Sequence, residues 1–432
     1  MIRRARMSAR RLAAGAAVLL LSATAAAIAQ GSDIAVRGGT IHTLTGPPIR
    51  DGVVLVRDGK IAAVGPAASV PIPDGIEVLE AVVVTPGLID AHSTLGLSGI
   101  YNSNVGQVRD QDQLETSAPI QPELRAIDAY DAREKLIEYA RGFGVTTIHT
   151  GHGPGALISG QTMIAKTRGD STEEAVVVPF KMLAFTLGNG LSREFKSPGT
   201  SAKGVAMLRE ALLEARQYLE KRETRTAATQ DDGEGDGEGE GDEKGGGEAA
   251  RNLRHEALAA LLQGEVTALV TAHSAPEIEA ALRLQEEFDF PMVIDGAAEA
   301  PLLLEEIAAA GVAVLPHPPM ARLRQGSFET AAKLRDAGIP FALQSGFEGY
   351  VPKTRVLLFE AAIAAANGLG FDDALASITR EPAQLLGIAD RVGTLEVGKD
   401  GDLALFDGDP FEYTSHVCAV VIEGEVVSRE CR

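Results

Sequence analysis

Cysteine is nearly missing from this chain, with Cys418 and Cys431 the only two among 432 residues. Two thiols cannot staple a disulfide scaffold, so the fold must rest on a buried apolar core. The pair flanks Glu423-Gly424 in an expected terminal hairpin, which leaves both a bridge and two separate thiols open. Basic charge is also scarce, with 40 Lys and Arg against 60 Asp and Glu and a net charge of −20. That balance argues against nucleic acid and anionic membrane surfaces as partners. No stretch after Gln30 is long and apolar enough to suggest a membrane span.

The one apolar run sits at the start. Arg3, Arg4, Arg6, Arg10 and Arg11 precede Leu12 to Leu21, and Ala27-Ile28-Ala29 offers a small-residue cleavage site. Residues 1–29 therefore read as a secretory signal peptide, and the mature chain is expected to be periplasmic or secreted. Removing those five arginines takes the net charge from −20 to −25. Asp231 to Glu248 holds nine acidic residues and one lysine, so residues 227–250 are expected to form a solvated acidic loop.

Three shifts in pattern divide the rest. Residues 30–80 alternate apolar and polar positions, as in GVVLVRDGKIAAVG, and predict short antiparallel strands. Residues 81–370 alternate strand-like runs, such as VTTIHTG and FALQSG, with helical patterns. Val205, Leu208, Leu212, Ala215 and Leu219 fall on one face of such a helix. Residues 371–432 begin helical and return to β with GTLEVGKDGDLALFDG. The order implies an α/β protein: a TIM-like (β/α)8 barrel with a composite β-sandwich domain built from both chain ends.

GKIAAVG followed by TPGLIDAH, then RGFGVTTIHTG, SGQTMIAKTRG and HSAPEIEAALRLQEEF, and finally EPAQLLGIADRVGTLEVGKDGDLALFDGDP, resemble the amidohydrolase superfamily in the right order. The nearest resemblance is to imidazolonepropionase-like and prolidase-like periplasmic members. It implies hydrolysis of carbon–nitrogen bonds, non-peptide or cyclic amide, in a small-molecule substrate. It also implies a divalent metal, usually Zn²⁺, held at the C-terminal ends of the barrel strands.

Position by position, the implied ligands are thinned. His92 is present, but Thr94 stands where its partner imidazole belongs. Thr271-Ala272-His273 keeps only the second histidine of the strand-five pair. Gly296 follows Asp295 where strand six carries a histidine, and Gly346 replaces the strand-eight aspartate that takes the proton of the attacking water. Lys166 and Lys181 are the nearest candidates for a carbamylated bridging lysine, and neither aligns with that position. A metal, if the chain is active, is expected on His92 and His273.

Five histidines, His92, His149, His152, His273 and His317, fall at expected C-terminal strand ends, whereas His42, His255 and His416 have no evident partners. Glu299 reads as a helix N-terminal acid, with an isolated acid near the barrel mouth as the alternative. The loop Tyr101 to Asp128 could contact a polar ligand through Asp110, Asp112, Glu115 and Arg125, or pair with itself. Three functions fit: a divergent hydrolase using one divalent ion, Zn²⁺, with a degraded site; a metal-free, catalytically inactive barrel that binds a small molecule or supports an active paralogous subunit or its own copies; and, with least support, a redirected non-metal enzyme.

Overall fold

β-Branched residues alternating with polar ones make strands near both chain ends, where Gly and Asp turns separate them. The computed structural model describes residues 33–99, 112–191, 195–231, 251–317, 326–346 and 357–432. The expected leader, Asp110 and residues 232–250 of the acidic segment lie outside these. Four strands come first: β1 (Ile34–Ile41), β2 (Ile49–Arg57), β3 (Lys60–Pro66) and β4 (Glu77–Pro86). Then follow β5 (Leu88–Ser93), β6 (Val145–Gly151), β7 (Ile158–Lys166) and β8 (Val176–Val178). Next are β9 (Met182–Thr186), β10 (Thr267–Ala272), β11 (Met292–Gly296) and β12 (Ala313–Pro316). The chain ends with β13 (Leu403–Phe406), β14 (Val417–Ile422) and β15 (Glu425–Ser428).

Strands from both ends share one sheet, in the order β15-β14-β13-β4-β1-β2-β3. It curls until its far edge meets the segment before β13: the Ile61 amide donates to the Lys399 carbonyl at 2.8 Å, and the Gly398 amide to the Ile61 carbonyl at 2.8 Å. Ile34, Val54, Ile61, Val84, Leu405 and Val421 pack on the enclosed face. The composite domain is thus one rolled sheet where two sandwiched sheets were expected, because strand twist lets a seven-stranded sheet cover its own core. Cys418 and Cys431 are joined as a disulfide at its end.

The second sheet runs β12-β11-β10-β9-β7-β6-β5, with β8 beside β7. Residues 341–346 close it into a barrel. The Ala342 amide donates to the Val314 carbonyl on one side, and the Ala91 amide donates to the Leu343 carbonyl on the other. Ile89, Ile164, Met182, Leu269, Val293 and Leu315 fill an apolar layer inside. Alternate residues such as Ile148, Val270 and Ile294 face outward, onto Leu212, Leu258 and Ile278 of the surrounding helices. The helix expected around Val205 to Leu219 is part of a longer one, Ser201–Asp231, which buries Leu208, Leu212 and Ala215. Among the described residues no helix is long and apolar enough to cross a membrane.

One strand departs from the expected all-parallel (β/α)8 pattern. β7 is antiparallel to both β6 and β9. The connection from β6 to β7, His152 to Leu157, carries Gly153, Pro154 and Gly155 and no helix. A parallel crossover needs about a dozen residues or more, so this short link can only reverse the chain. The reversal carries Lys166, at the end of β7, away from the barrel mouth and into the rolled sheet. There its ammonium meets Asp402 at 2.5 Å and Asp400 at 3.1 Å, all three buried. Arg391 joins Asp400 and Glu423, each at 3.0 Å, Lys60 reaches Asp400 at 2.5 Å, and Arg168 also binds Glu423.

This network latches the two domains together, and Lys166 is a structural residue, not a metal-bridging one. Removing one partner of a buried ion pair leaves the other charge stranded, so Lys166→Met is expected to cost about 3–5 kcal/mol in chemical denaturation. A loss under about 1 kcal/mol, the worth of a surface pair, would contradict the latch.

Candidate functional site at the barrel mouth

Two residues beyond the apolar inner layer, three strand positions present a polar side chain. Leu269 is followed by Thr271, Val293 by Asp295 and Ala342 by Gln344, with His92 on β5 completing the layer. All four are nearly inaccessible, between 2 and 5 % exposed. Such polar groups persist inside a barrel only when they satisfy one another.

Asp295 is the hub. His92 Nδ1 lies 3.2 Å from Asp295 Oδ1, the Thr271 hydroxyl donates to Oδ2 at 2.7 Å, and Gln344 Nε2 donates to Oδ1 at 2.8 Å. A carboxylate accepts only, so Nδ1 carries the proton and Nε2 is left over. That Nε2 is buried and has no hydrogen-bond partner among the described residues. Burial penalises the His92 cation, but the Asp295 carboxylate outweighs it and the His92 pKa is raised above 6.5. Burial likewise works against the Asp295 charge, yet His92, Thr271 and Gln344 hold its pKa well below the ordinary 3.8.

Beside this pair, Asp90 accepts hydrogen bonds from the Ser345 amide, at 2.9 Å, and the Ser345 hydroxyl. Burial pushes Asp90 up to about 6 against those bonds. His149 stacks 5.8 Å from the His92 ring and uses both nitrogens: Nδ1 donates to the Ala91 carbonyl at 2.8 Å, and Nε2 pairs with the Thr162 hydroxyl at 2.7 Å. Burial, reinforced by His92, lowers it to about 3, so it stays neutral.

His273 is on a neighbouring patch. Its ring packs edge-on to His317, with centroids 5.1 Å apart, and covers Gly296. Glu277 fixes its backbone by accepting from the His273 and Ser274 amides, each at 2.9 Å. Glu299 accepts from the Ala275 amide at 2.7 Å, as an acid at the start of the helix Ala275–Phe288. His152 follows β6 and is 5 % exposed, and neither ring nitrogen has a hydrogen-bond partner among the described residues. Burial lowers its pKa, opposed by Asp112. In the adjoining loop Arg125 pairs with Asp128 at 3.7 Å, and Glu115 accepts from the Ser117 amide at 2.7 Å. Lys181 is half-buried, and burial lowers its pKa.

The three histidines expected to lack partners have them. His42 packs on Phe371, His255 lies 3.7 Å from Glu214, and His416 pairs with Asp407 at 2.9 Å. A cavity of about 440 Å³ opens at the opposite end of the barrel, near Pro291, Val312 and Pro340, remote from this chemistry.

Metal fit can be judged from the donors. Among the described residues no three His, Cys, Asp or Glu side chains group as a metal would require. His92 and His273 are each held in a different pair, Asp295 is occupied by three donors, and His149 has no ring nitrogen to offer. Thr94 and Gly346 sit at the ends of their strands, where a hydroxyl and a bare backbone make poor ligands. The described residues do not fit the centre implied by the resemblance. Sequence reasoning missed Asp295, Gln344 and Asp90 as site residues. Their signal was a polar residue inside an otherwise apolar strand, in VIDG, ALQS and LIDA.

A raised histidine pKa stabilises the fold fully below 6.5 and loses that effect as pH climbs through the folded value. A depressed aspartate does so above 3.8 and loses it as pH falls. The stability gap between the parent protein and Asp295→Asn is therefore expected to peak between about pH 4 and pH 6.5 and shrink on both sides. A gap that does not vary with pH in denaturant titrations would refute the pairing. Gly296 has φ +84°, and an added Cβ would lie 2.4 Å from the His273 ring. Gly296→Ala is expected to cost about 1–3 kcal/mol in the same assay.

Known proteins place this geometry in a lineage. The amidohydrolase family model matches residues 126–428. An imidazolonepropionase from Stenotrophomonas maltophilia (strain R551-3) is 28% identical over 399 residues, covering 84% of this chain and 87% of its own. Amidohydrolase tasK from Hapsidospora irregularis is 28% identical over 86% of this chain, and the match spans 39% of that longer protein. The crystal structure of an amidohydrolase from Thermotoga maritima MSB8 superposes with a TM-score of 0.81 at 29% identity, covering 92% of this chain and 100% of that one. Molinate hydrolase, at 17% identity and a TM-score of 0.55, shares the fold alone. With the family match spanning barrel and return strands alike, this chain belongs to the amidohydrolase family.

Proposed function

We propose that the protein hydrolyses a carbon–nitrogen bond other than a peptide bond in a small polar molecule, cyclic amides being the first class to test. The observation that carries this reading is a set of buried imidazole nitrogens at the C-terminal end of the barrel that have no hydrogen-bond partner among the described residues. They are His92 Nε2, both nitrogens of His152, and His273 Nδ1. Buried polar atoms are paired in the great majority of cases, so unpaired ones at a barrel mouth are positions that a ligand would satisfy. The imidazolonepropionase relatives support the cyclic-amide class.

His92 is the proton-handling group in this scheme. Asp295 holds the Nδ1 proton and aims Nε2, which takes a proton from water as the oxygen attacks the carbonyl carbon. The carbon–nitrogen bond then breaks, and the same proton passes to the leaving nitrogen. Asp295 is a positioning residue, acting through His92. Export belongs to the same proposal, with residues 1–29 as the leader. The Cys418–Cys431 bond is in keeping with an oxidising periplasmic or extracellular compartment.

A second reading has its own observation. Thr94, Thr271, Gly296 and Gly346 stand where the resemblance calls for ligands or a base, which favours a barrel that binds without turnover or supports an identical or paralogous subunit. Mature protein incubated with cyclic amides and N-acyl dipeptides, with amine release followed, separates the two. Hydrolysis is expected, falling by about 10²–10⁴-fold in His92→Ala. Well-folded protein that releases nothing from either class would leave the binding reading in its place.

A further inference from the structure

The polar layer is also a brace. β5 and β11 are not neighbours: the closing segment 341–346 and β12 lie between them. Asp295 on β11 nevertheless reaches His92 on β5, Thr271 on β10 and Gln344 on the closing segment. Gln344 extends the link by donating to the Leu315 carbonyl of β12 at 2.9 Å. Five strand positions of the barrel are thereby tied through one carboxylate.

We infer that this hydrogen-bonded hub does the structural task a divalent ion would do, so that the barrel mouth is assembled without metal. A metal at a barrel mouth supplies positive charge and draws side chains from several strands to one point. Here the Asp295 oxygens supply the point of convergence, for side chains from three other strand positions. Admitting Zn²⁺ to His92 Nδ1 and Asp295 would displace the Nδ1 proton. It would also strip the acceptor from the Thr271 hydroxyl and the Gln344 amide, both buried. Two strand-end glycines, Gly296 and Gly346, and the neutral His149 offer nothing in return. His92 Nε2 is left over, but among the described residues no three His, Cys, Asp or Glu side chains group as a metal would require.

The test measures metal and stability, not turnover, so it can fail independently of the hydrolase proposal. Purified mature protein is expected to contain far less than one equivalent of transition metal, with an unfolding midpoint unmoved by EDTA or added ZnCl2. His92→Asn and Asp295→Asn are each expected to lower the midpoint, by roughly 5–10 °C, and the double variant by clearly less than the sum. About one equivalent of Zn²⁺ that survives gel filtration, raises the midpoint and is lost in His92→Asn would overturn the inference. So would additive effects of the two substitutions. Should either variant fail to fold, the Zn²⁺ titration of the parent protein decides alone.

Discussion

A single buried carboxylate, Asp295, sets the terms for the upper half of the barrel. A charge removed from water has to be met by donors, and here they come from three directions: an imidazole, a hydroxyl and a carboxamide. Each donor sits two residues beyond an aliphatic side chain or, for His92, at the end of its own strand. The register of four strand positions is therefore fixed by one electrostatic requirement. A slip of one residue on β11 would turn Asp295 outward and leave three donors with nothing to bind.

Two charged clusters stand at opposite ends of the molecule and differ in kind. At the lower end, Lys166, Arg391, Lys60 and Arg168 meet Asp400, Asp402 and Glu423 in a network that joins the barrel to the rolled sheet. At the mouth, the Asp295 oxygens are filled, while several imidazole nitrogens have no partner among the described residues. A finished network rigidifies, and an unfinished one waits for a partner. The contrast is what distinguishes a structural use of buried charge from a functional one in this chain. The reversal of β7 separates them, since it delivers Lys166 to one end and leaves His152 at the other.

Much of the architecture was legible in the sequence because it depends on local period. Alternating residues at both ends announced the composite β domain, and apolar runs spaced by helical patterns announced the barrel. The positions of Thr94, Gly296 and Gly346 at strand ends were readable for the same reason. The reversal of β7 was not read, although a link of only His152 to Leu157, containing Gly153-Pro154-Gly155, carried the signal. It requires arguing from connection length instead of from strand pattern. The pairing partners were beyond local reasoning altogether. His92 and Asp295 are 203 residues apart, and Lys166 and Asp402 are 236 apart. No spacing rule links such residues before the fold is known.

The thinned histidine set acquires a different meaning once Asp295 is seen. Taken singly, Thr94, Thr271 and Gly346 look like losses from a metal site. Thr271 is not a vacancy, because its hydroxyl holds one oxygen of the carboxylate, and Gln344, immediately before Ser345-Gly346, holds the other. Both residues are suited to a carboxylate and ill suited to Zn²⁺. Random decay would leave a buried aspartate with mismatched neighbours, at a cost of several kcal/mol. Matched donors on three separate strand positions instead mark a site organised around the carboxylate. On that view His92 is one of three donors that hold Asp295, with its Nε2 left unpaired among the described residues.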